Sequence, residues 1–347
     1  MTRYVVRRVL AGIALLFALT MVTFLIFKAA PLDPGCFVVA CGPGVETTDA
    51  QLKAARHKLG ADRPIYVQYA DFMWHLLRTG SFGRSFAGLS IGASLKMALP
   101  QTAFIVLGGM ALLLVAAVPL GVLSALKANT RIDRFVLFAS IFGIALHPFV
   151  VGFLLRKVFA DWIDVAPKEG YCPIGGGPRS QAHLYLYGNM KPPVCDHGVR
   201  DWASHLVLPW VTFALFFLPL YMRVIRTRVL DTLHSPHVAT ARAKGASELR
   251  VLRKHVLRIA MVPVIPMVAM DIGGALMAAL YIEISFDFNG LGQLVLGLLQ
   301  SETPAFDLPL VAAVFMVVGA AVIVLSLIAD VVQFGLDPRS RDALASA

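Results

Sequence analysis

Charge is scarce in this 347-residue chain: 15% of its residues are Asp, Glu, Lys or Arg, against roughly a quarter in soluble globular proteins. Acidic residues are the scarcer sign, 21 against 31 Lys and Arg. There are four cysteines and no CxxC, which excludes a disulfide miniprotein and argues against a zinc ribbon. No Gly-x4-Gly-Lys-Ser/Thr loop occurs, so the chain has no backbone cradle for nucleotide phosphates. Paired catalytic carboxylates and nucleophile–base spacings suited to a soluble pocket are absent too, as are tandem repeats and low-complexity tracts. What abounds is apolar: 58% of residues, with a mean hydropathy of +0.73. That excludes a soluble enzyme and a disordered chain and indicates an integral membrane protein, which the long apolar runs below make all-α. The net charge of +10 then reports orientation, not nucleic acid.

A bilayer core of about 30 Å takes roughly 20 apolar residues per helix. Six stretches meet this requirement, at about 8–28, 101–126, 135–156, 205–225, 261–285 and 308–334. Arg3, Arg7 and Arg8 before the first would suit a signal peptide as well. Its apolar run is too long for one, however, and no small-x-small cleavage site follows, so it reads as a retained helix. Lys and Arg gather in alternate connections. Arg3, Arg7, Arg8, Lys127, Arg131, Arg134, Arg339, Arg341 and a run from Arg223 to Arg258 with nine Lys/Arg fall on one side. The 286–307 connection holds Asp287, Glu302 and Asp307 and no basic residue. Both termini are therefore expected in the cytoplasm.

Cys36 and Cys41 then lie in the first external segment (29–100), and Cys172 and Cys195 in the second (157–204). Disulfides on the oxidising side fit this distribution, with local pairing preferred among three connectivities; four free thiols are the alternative. Thr48-Asp-Ala-Gln51 has the form of a capping box opening a helix to Leu59, which Gly60 can close. A second helix over about 65–79 carries Tyr69, Phe72, Met73, Leu76 and Leu77 on one face, suited to neighbouring helices, a partner or the membrane surface. The Gly/Pro-rich 160–203 stretch reads as a loop.

Between the fourth and fifth spans the basic connection 226–262 carries two helix signals. Pro236 suits a first turn, Val238 to Lys244 a short helix, and Gly245 its left-handed end. Ser247 is positioned to cap a second helix to about Arg258. On charge alone, such a loop could simply bind anionic lipid. Yet Thr240-Ala-Arg-Ala-Lys-Gly245, with Pro263 ending the basic helix, resembles the cytoplasmic loop of binding-protein-dependent ABC transporter permeases, in the form found in dipeptide and oligopeptide importers. Ala239-Thr240-Ala241 departs from the general Glu-Ala-Ala opening, as the peptide branch does. Further segments resemble the same family in order: Arg7-Arg8-Val-Leu, Ala30-Pro-Leu-Asp-Pro34, Leu59-Gly-Ala-Asp-Arg-Pro64, Val67-Gln-Tyr69, Gly83-Arg-Ser-Phe86, Pro119 to Leu126, His205-Leu-Val-Leu-Pro209, Asn289-Gly-Leu-Gly292 and Leu336-Asp-Pro-Arg339.

The resemblance implies a type I ABC importer permease fold with six transmembrane helices. The first helix and external segment would precede a core domain over 101–347. It implies a paralogous permease, two cytoplasmic ATPases that bind ATP and magnesium, and an extracytoplasmic substrate-binding protein. The chain itself would hold no cofactor and hydrolyse nothing. Val238, Thr240, Ala241, Arg242, Lys244 and Gly245 would form the ATPase-coupling element. Peptide is the implied substrate, although the family also carries nickel chelates, haem, glutathione and sugars. An ion-driven secondary transporter is the rival reading, which predicts inverted repeats and discontinuous midplane helices; neither is plain in the sequence. Three ionisable residues inside spans are pathway candidates. Asp271 and His147 are placed about 15 and 18 Å deep by helical rise, within reach of pairing across the pathway. Glu283 resembles a family acid before the external turn, where it gates the mouth or caps a neighbouring helix.

Overall fold

The computed structural model describes residues 2–29, 48–58, 60–84, 90–145, 147–167, 170–174, 195, 198–300 and 308–336. Its helices run in the order α1 (Thr2–Ala29), α2 (Asp49–Lys58), α3 (Ile65–Thr79), α4 (Ile91–Leu126), α5 (Arg131–Ala145), α6 (Pro148–Arg156), α7 (Val199–Leu233), α8 (Pro236–Ala243), α9 (Glu248–Arg250), α10 (Leu257–Ala260), α11 (Val264–Phe286), α12 (Leu291–Gln300) and α13 (Leu308–Leu336). Two π-helical turns, Lys157–Trp162 after α6 and Val251–Val256 between α9 and α10, complete the order. Among the described residues the only extended pairing is a single antiparallel bridge, Arg84 with Ser90.

Local chemistry accounts for the small helices. The Thr48 N–H donates to Gln51 Oε1 at 3.1 Å, one half of a capping box, and opens α2. After it Gly60 turns left-handed (φ 66°), and the Ala61 N–H reaches back to the Arg56 carbonyl at 2.9 Å. α3 starts directly after Pro64 and stops at left-handed Gly80. Its Tyr69 and Phe72 rings lie 5.4 and 5.9 Å from the Phe24 ring of α1, and the Tyr69 hydroxyl pairs with that of Thr20 at 2.8 Å. The apolar stripe of α3 therefore packs on α1 through these residues, whereas Leu77 remains exposed.

Four described helices are long and apolar enough to cross a bilayer: α1, α4, α7 and α13, with spans over Val6–Ile26, Ile91–Leu126, Val199–Leu233 and Pro309–Val331. α11 makes a fifth but is bent by 54° between Val264–Asp271 and Gly274–Phe286. The expected span at 135–156 is not one helix. It is interrupted before Pro148, and α5 and α6 are only 15 and 9 residues long. Proline removes a helical N–H and disfavours helical geometry in the residue before it, so His147 becomes the extended N-cap of α6 (ψ 138°). The second and fourth spans exceed their expected limits, at 36 and 35 residues. The connection 286–307, expected as a plain loop, contains α12.

The main core lies between α4, α7, α11 and the α8–α10 segment, where Leu113, Phe213, Tyr221, Ile225, Val238, Val251 and Ile282 are fully buried. α4 and α7 approach closely at Gly108: a Cβ there would stand 2.1 Å from Trp210 Nε1. The bare backbone lets the Trp210 indole donate to the Phe104 carbonyl at 2.8 Å. A second cluster joins Ile91, Leu95 and Ala98 of α4 to Leu291 and Leu294 of α12 and Leu310 of α13. α1 lies along α13, with Arg8 Nη1 2.9 Å from Asp330 Oδ2 and Leu19 against Gly319.

Candidate functional site

The 226–262 segment builds a two-helix corner. Ser235 is the extended N-cap of α8, and Pro236 occupies its first position. At the other end Gly245 has φ 77°. The Ala246 N–H donates to the Ala241 carbonyl at 3.2 Å, and the Gly245 N–H to that of Arg242 at 2.9 Å. This crossed pair is the Schellman closure, which needs the left-handed residue that glycine supplies without strain. Arg242 then forks onto Glu248 across the corner, Nε–Oε1 2.8 Å and Nη2–Oε2 3.1 Å. That hydrogen bond holds the Glu248 carboxyl below the usual carboxylate range. Ser247 is the extended N-cap of α9, and its carbonyl receives the first helical bond, from the Val251 N–H at 2.9 Å, but its hydroxyl does not make the expected cap bond. The wider π-helical turn brings Val251 and Val256 to the inward side together, both fully buried.

The six residues expected to couple to an ATPase divide into two sets. Val238 is fully buried and Ala241 half-buried, so they anchor α8 on the core. Thr240, Arg242, Lys244 and Gly245 are exposed. The Thr240 hydroxyl is already engaged within the helix, donating to the Pro236 carbonyl at 3.0 Å.

Between α5 and α7 lies a buried ion pair that no local sequence pattern marks as a pair. Arg226 of α7 forks onto Asp133 of α5, Nε–Oδ1 2.6 Å and Nη2–Oδ2 2.7 Å. The Ser124 hydroxyl (2.6 Å) and the Asn129 N–H (2.9 Å) supply two further bonds to this carboxylate. The Arg226 hydrogen bond, helped by Ser124 and Asn129, holds Asp133 well below the usual carboxylate range against the opposing effect of burial. One cue was available: Asp133 is the single acid among Lys127, Arg131 and Arg134.

At the far end of α11, Glu283 is completely buried. It accepts from the Thr102 hydroxyl of α4 (2.5 Å) and from the Gly292 and Gln293 N–H groups (3.0 Å each), the opening amides of α12. Thr102 accepts from the Leu291 N–H at 2.8 Å, and Gln101 Oε1 from the Asn289 N–H at 3.0 Å. In these contacts Glu283 caps α12 and ties it to α4. Gly290 leaves room for this arrangement, because a Cβ there would stand 2.1 Å from Glu283 Oε1.

His147 and Asp271 make their contacts with other groups, not with each other. His147 Nδ1 accepts from the Phe149 N–H at 3.3 Å, and its ring meets Tyr281 edge-on. Asp271 accepts from the Tyr221 hydroxyl at 2.8 Å, at the bend of α11. The expected pairing across a pathway is thus not formed, since the break before Pro148 turns His147 into a helix cap. A disulfide joins Cys172 to Cys195; Cys36 and Cys41 lie outside the described residues.

Residues 117–342 match the family of the binding-protein-dependent transport system inner membrane component, and residues 1–95 match the N-terminal family of that system's membrane components. The chain belongs to this family and is a multi-pass inner-membrane permease component. A Brucella suis protein named as a peptide permease is 30% identical over 343 residues, covering 98% of this chain and 99% of its own. The oligopeptide transport system permease protein AppB of Bacillus subtilis is 30% identical over 341 residues, with coverage of 98% and 99%. The oligopeptide transport system permease protein OppB of Mycobacterium bovis is 29% identical over 349 residues, again covering 98% and 99%. This membership sets aside the ion-driven secondary transporter, although interrupted helices, which that reading would have predicted, are present in α5/α6 and α11.

Proposed function

We propose that this chain is one permease subunit of an ATP-driven peptide importer and forms half of the translocation pathway. Near-full-length similarity to peptide and oligopeptide permeases supports the substrate class. The Lys/Arg census supports cytoplasmic termini, a cytoplasmic 226–262 segment, and external segments at 29–100 and 157–204. The partners are a paralogous permease, two cytoplasmic ATPases that bind ATP and magnesium, and an extracytoplasmic substrate-binding protein.

The observation that carries the coupling role is the corner itself. α8 presents Thr240, Arg242 and Lys244 outward while Val238 roots it in the core. A rigid, rooted projection can transmit displacement, whereas a loosely attached loop would absorb it. ATP binding and loaded receptor would each shift the inward-open to outward-open equilibrium through unequal affinity for the two states. Asp271, His147 and Glu283 remain pathway candidates, the first two at interrupted helices and the third at the mouth.

Co-expression with the cognate ATPases tests this reading. The wild-type chain is expected to co-purify with them, and Gly245→Pro is expected to lose them, because proline cannot adopt φ 77°. Substrate movement by this chain alone in vesicles lacking ATP would overturn the assignment.

A further inference from the structure

A cavity of about 400 Å3 opens where the end of α1 meets the turn between α2 and α3. Lys28, Lys58, Arg63 and Asp71 supply its charges, and Phe24 and Phe72 its apolar wall. Gln68 braces the turn, donating from Nε2 to the carbonyls of Ala61 (3.0 Å) and Arg63 (2.6 Å). Arg63 is matched by Asp71 at 3.0 Å, and the nearby His57 by Asp62 at 3.5 Å. Lys28 and Lys58 have no carboxylate partner among the described residues. Among the described residues the cavity thus carries two unmatched positive charges beside aromatic carbon, and Lys28 is half-buried there. Such a site calls for an anion that also has apolar substance.

Position narrows the choice. Lys28 follows closely on the apolar span Val6–Ile26, the level at which long basic side chains reach the headgroup region. Below the cavity Val22, Leu25 and Ile26 are exposed on α1. Beside it α3 exposes Tyr66, Trp74 and Leu77, of which Tyr and Trp are the residues suited to a membrane interface.

We propose that this cavity binds the phosphate of an anionic phospholipid between Lys28 and Lys58, with the acyl chains descending along Val22, Leu25 and Ile26 of α1. The bound lipid fastens the α2–α3 unit to the first helix. With the topology proposed above the site faces the outer leaflet, but the binding chemistry does not depend on that assignment.

Native mass spectrometry of the full-length protein in detergent tests the proposal, with phosphatidylglycerol and phosphatidylcholine offered in equal amounts. The wild type is expected to retain phosphatidylglycerol preferentially. Each Lys→Gln substitution at 28 or 58 is expected to reduce that preference about fivefold, while the Lys→Arg pair keeps it. If Lys28→Gln does not fold, Lys58→Gln, at an exposed side chain, carries the same test. Retention of the preference in the Gln variants would overturn the proposal by assigning the lipid to cations elsewhere. Displacement of the lipid by chainless glycerol 3-phosphate at equal concentration would overturn it as well, by identifying free phosphate esters as the ligand.

Discussion

Asp133 and Arg226 stand 93 residues apart in sequence, yet their side chains meet as a two-bonded fork in which the carboxylate is only 2% exposed. The fork connects α5 to α7, the helix that leads into the corner, so α7 is braced against the rest of the bundle. Removing one partner of such a pair leaves an uncompensated buried charge, which costs about 3–5 kcal/mol. Asp133→Asn and Arg226→Met are each expected to lower the thermal unfolding midpoint in detergent. Replacing both by apolar residues of similar size is expected to recover much of the loss.

The same carboxylate sets a pH dependence. Its folded pKa is depressed below the unfolded value of about 3.9. Its contribution is therefore fully present above that value and declines as pH falls through the lower, folded one. The stability difference between wild type and Asp133→Asn should be constant across neutral and mildly acid pH and shrink only below about pH 4. Denaturation at a series of pH values reads this directly; a difference that vanished near neutrality would contradict it.

Gly290 is expected to tolerate no side chain. A methyl group would press on Glu283 Oε1 and on Thr102 Oγ1, at 2.1 and 2.5 Å. Overpacking of this kind costs about 1–3 kcal/mol, and α12 would be pushed from α4. Glu283→Ala should be worse, since it orphans the Thr102 hydroxyl and two amide groups, each worth about 1–3 kcal/mol when buried and unsatisfied. Hydrogen exchange at Gly292 and Gln293 should rise in both variants, and more in Glu283→Ala.

At the corner, anchoring and surface residues should separate. Val238→Asp buries a charge and is expected to destabilise α8 itself, as loss of exchange protection along the helix. Arg242→Ala removes an exposed fork to Glu248 that water screens, so stability should hardly change. If α8 contacts an ATPase, transport coupled to ATP should nonetheless fall in Arg242→Ala. Unchanged coupling would remove Arg242 from the contact surface.

Legibility in the sequence followed the range of the physics involved. α3 was readable to its ends because Pro64 and Gly80 punctuate it locally, and Gly245 revealed the corner for the same reason. Apolar runs located the spans, but a hydropathy window averages across the proline that interrupts 135–156, so His147 was assigned a helix interior it does not have. α12 escaped notice because its apolar run is short and follows a glycine-rich turn. The Asp133–Arg226 fork and the tie from Glu283 to Thr102 depend on contacts across 93 and 181 residues, which no local pattern encodes; the cap of Glu283 on α12 spans only 9 and 10 residues and matches one of the two roles expected of it. The π-helical turns were likewise invisible, because hydrogen-bond register is not written in residue type.

The contact between α1 and α13 imposes an order on biogenesis. α1 leaves the ribosome long before its companion exists; at about 5–20 residues per second the intervening chain takes tens of seconds to make. During that interval Arg8 has no Asp330 and Leu19 has no Gly319 to rest against, so this flank of the helix faces lipid while α3 already covers Phe24 near its other end. Docking of α13 therefore ends a vulnerable period in which membrane proteases and quality control have access to a helix with one flank uncovered.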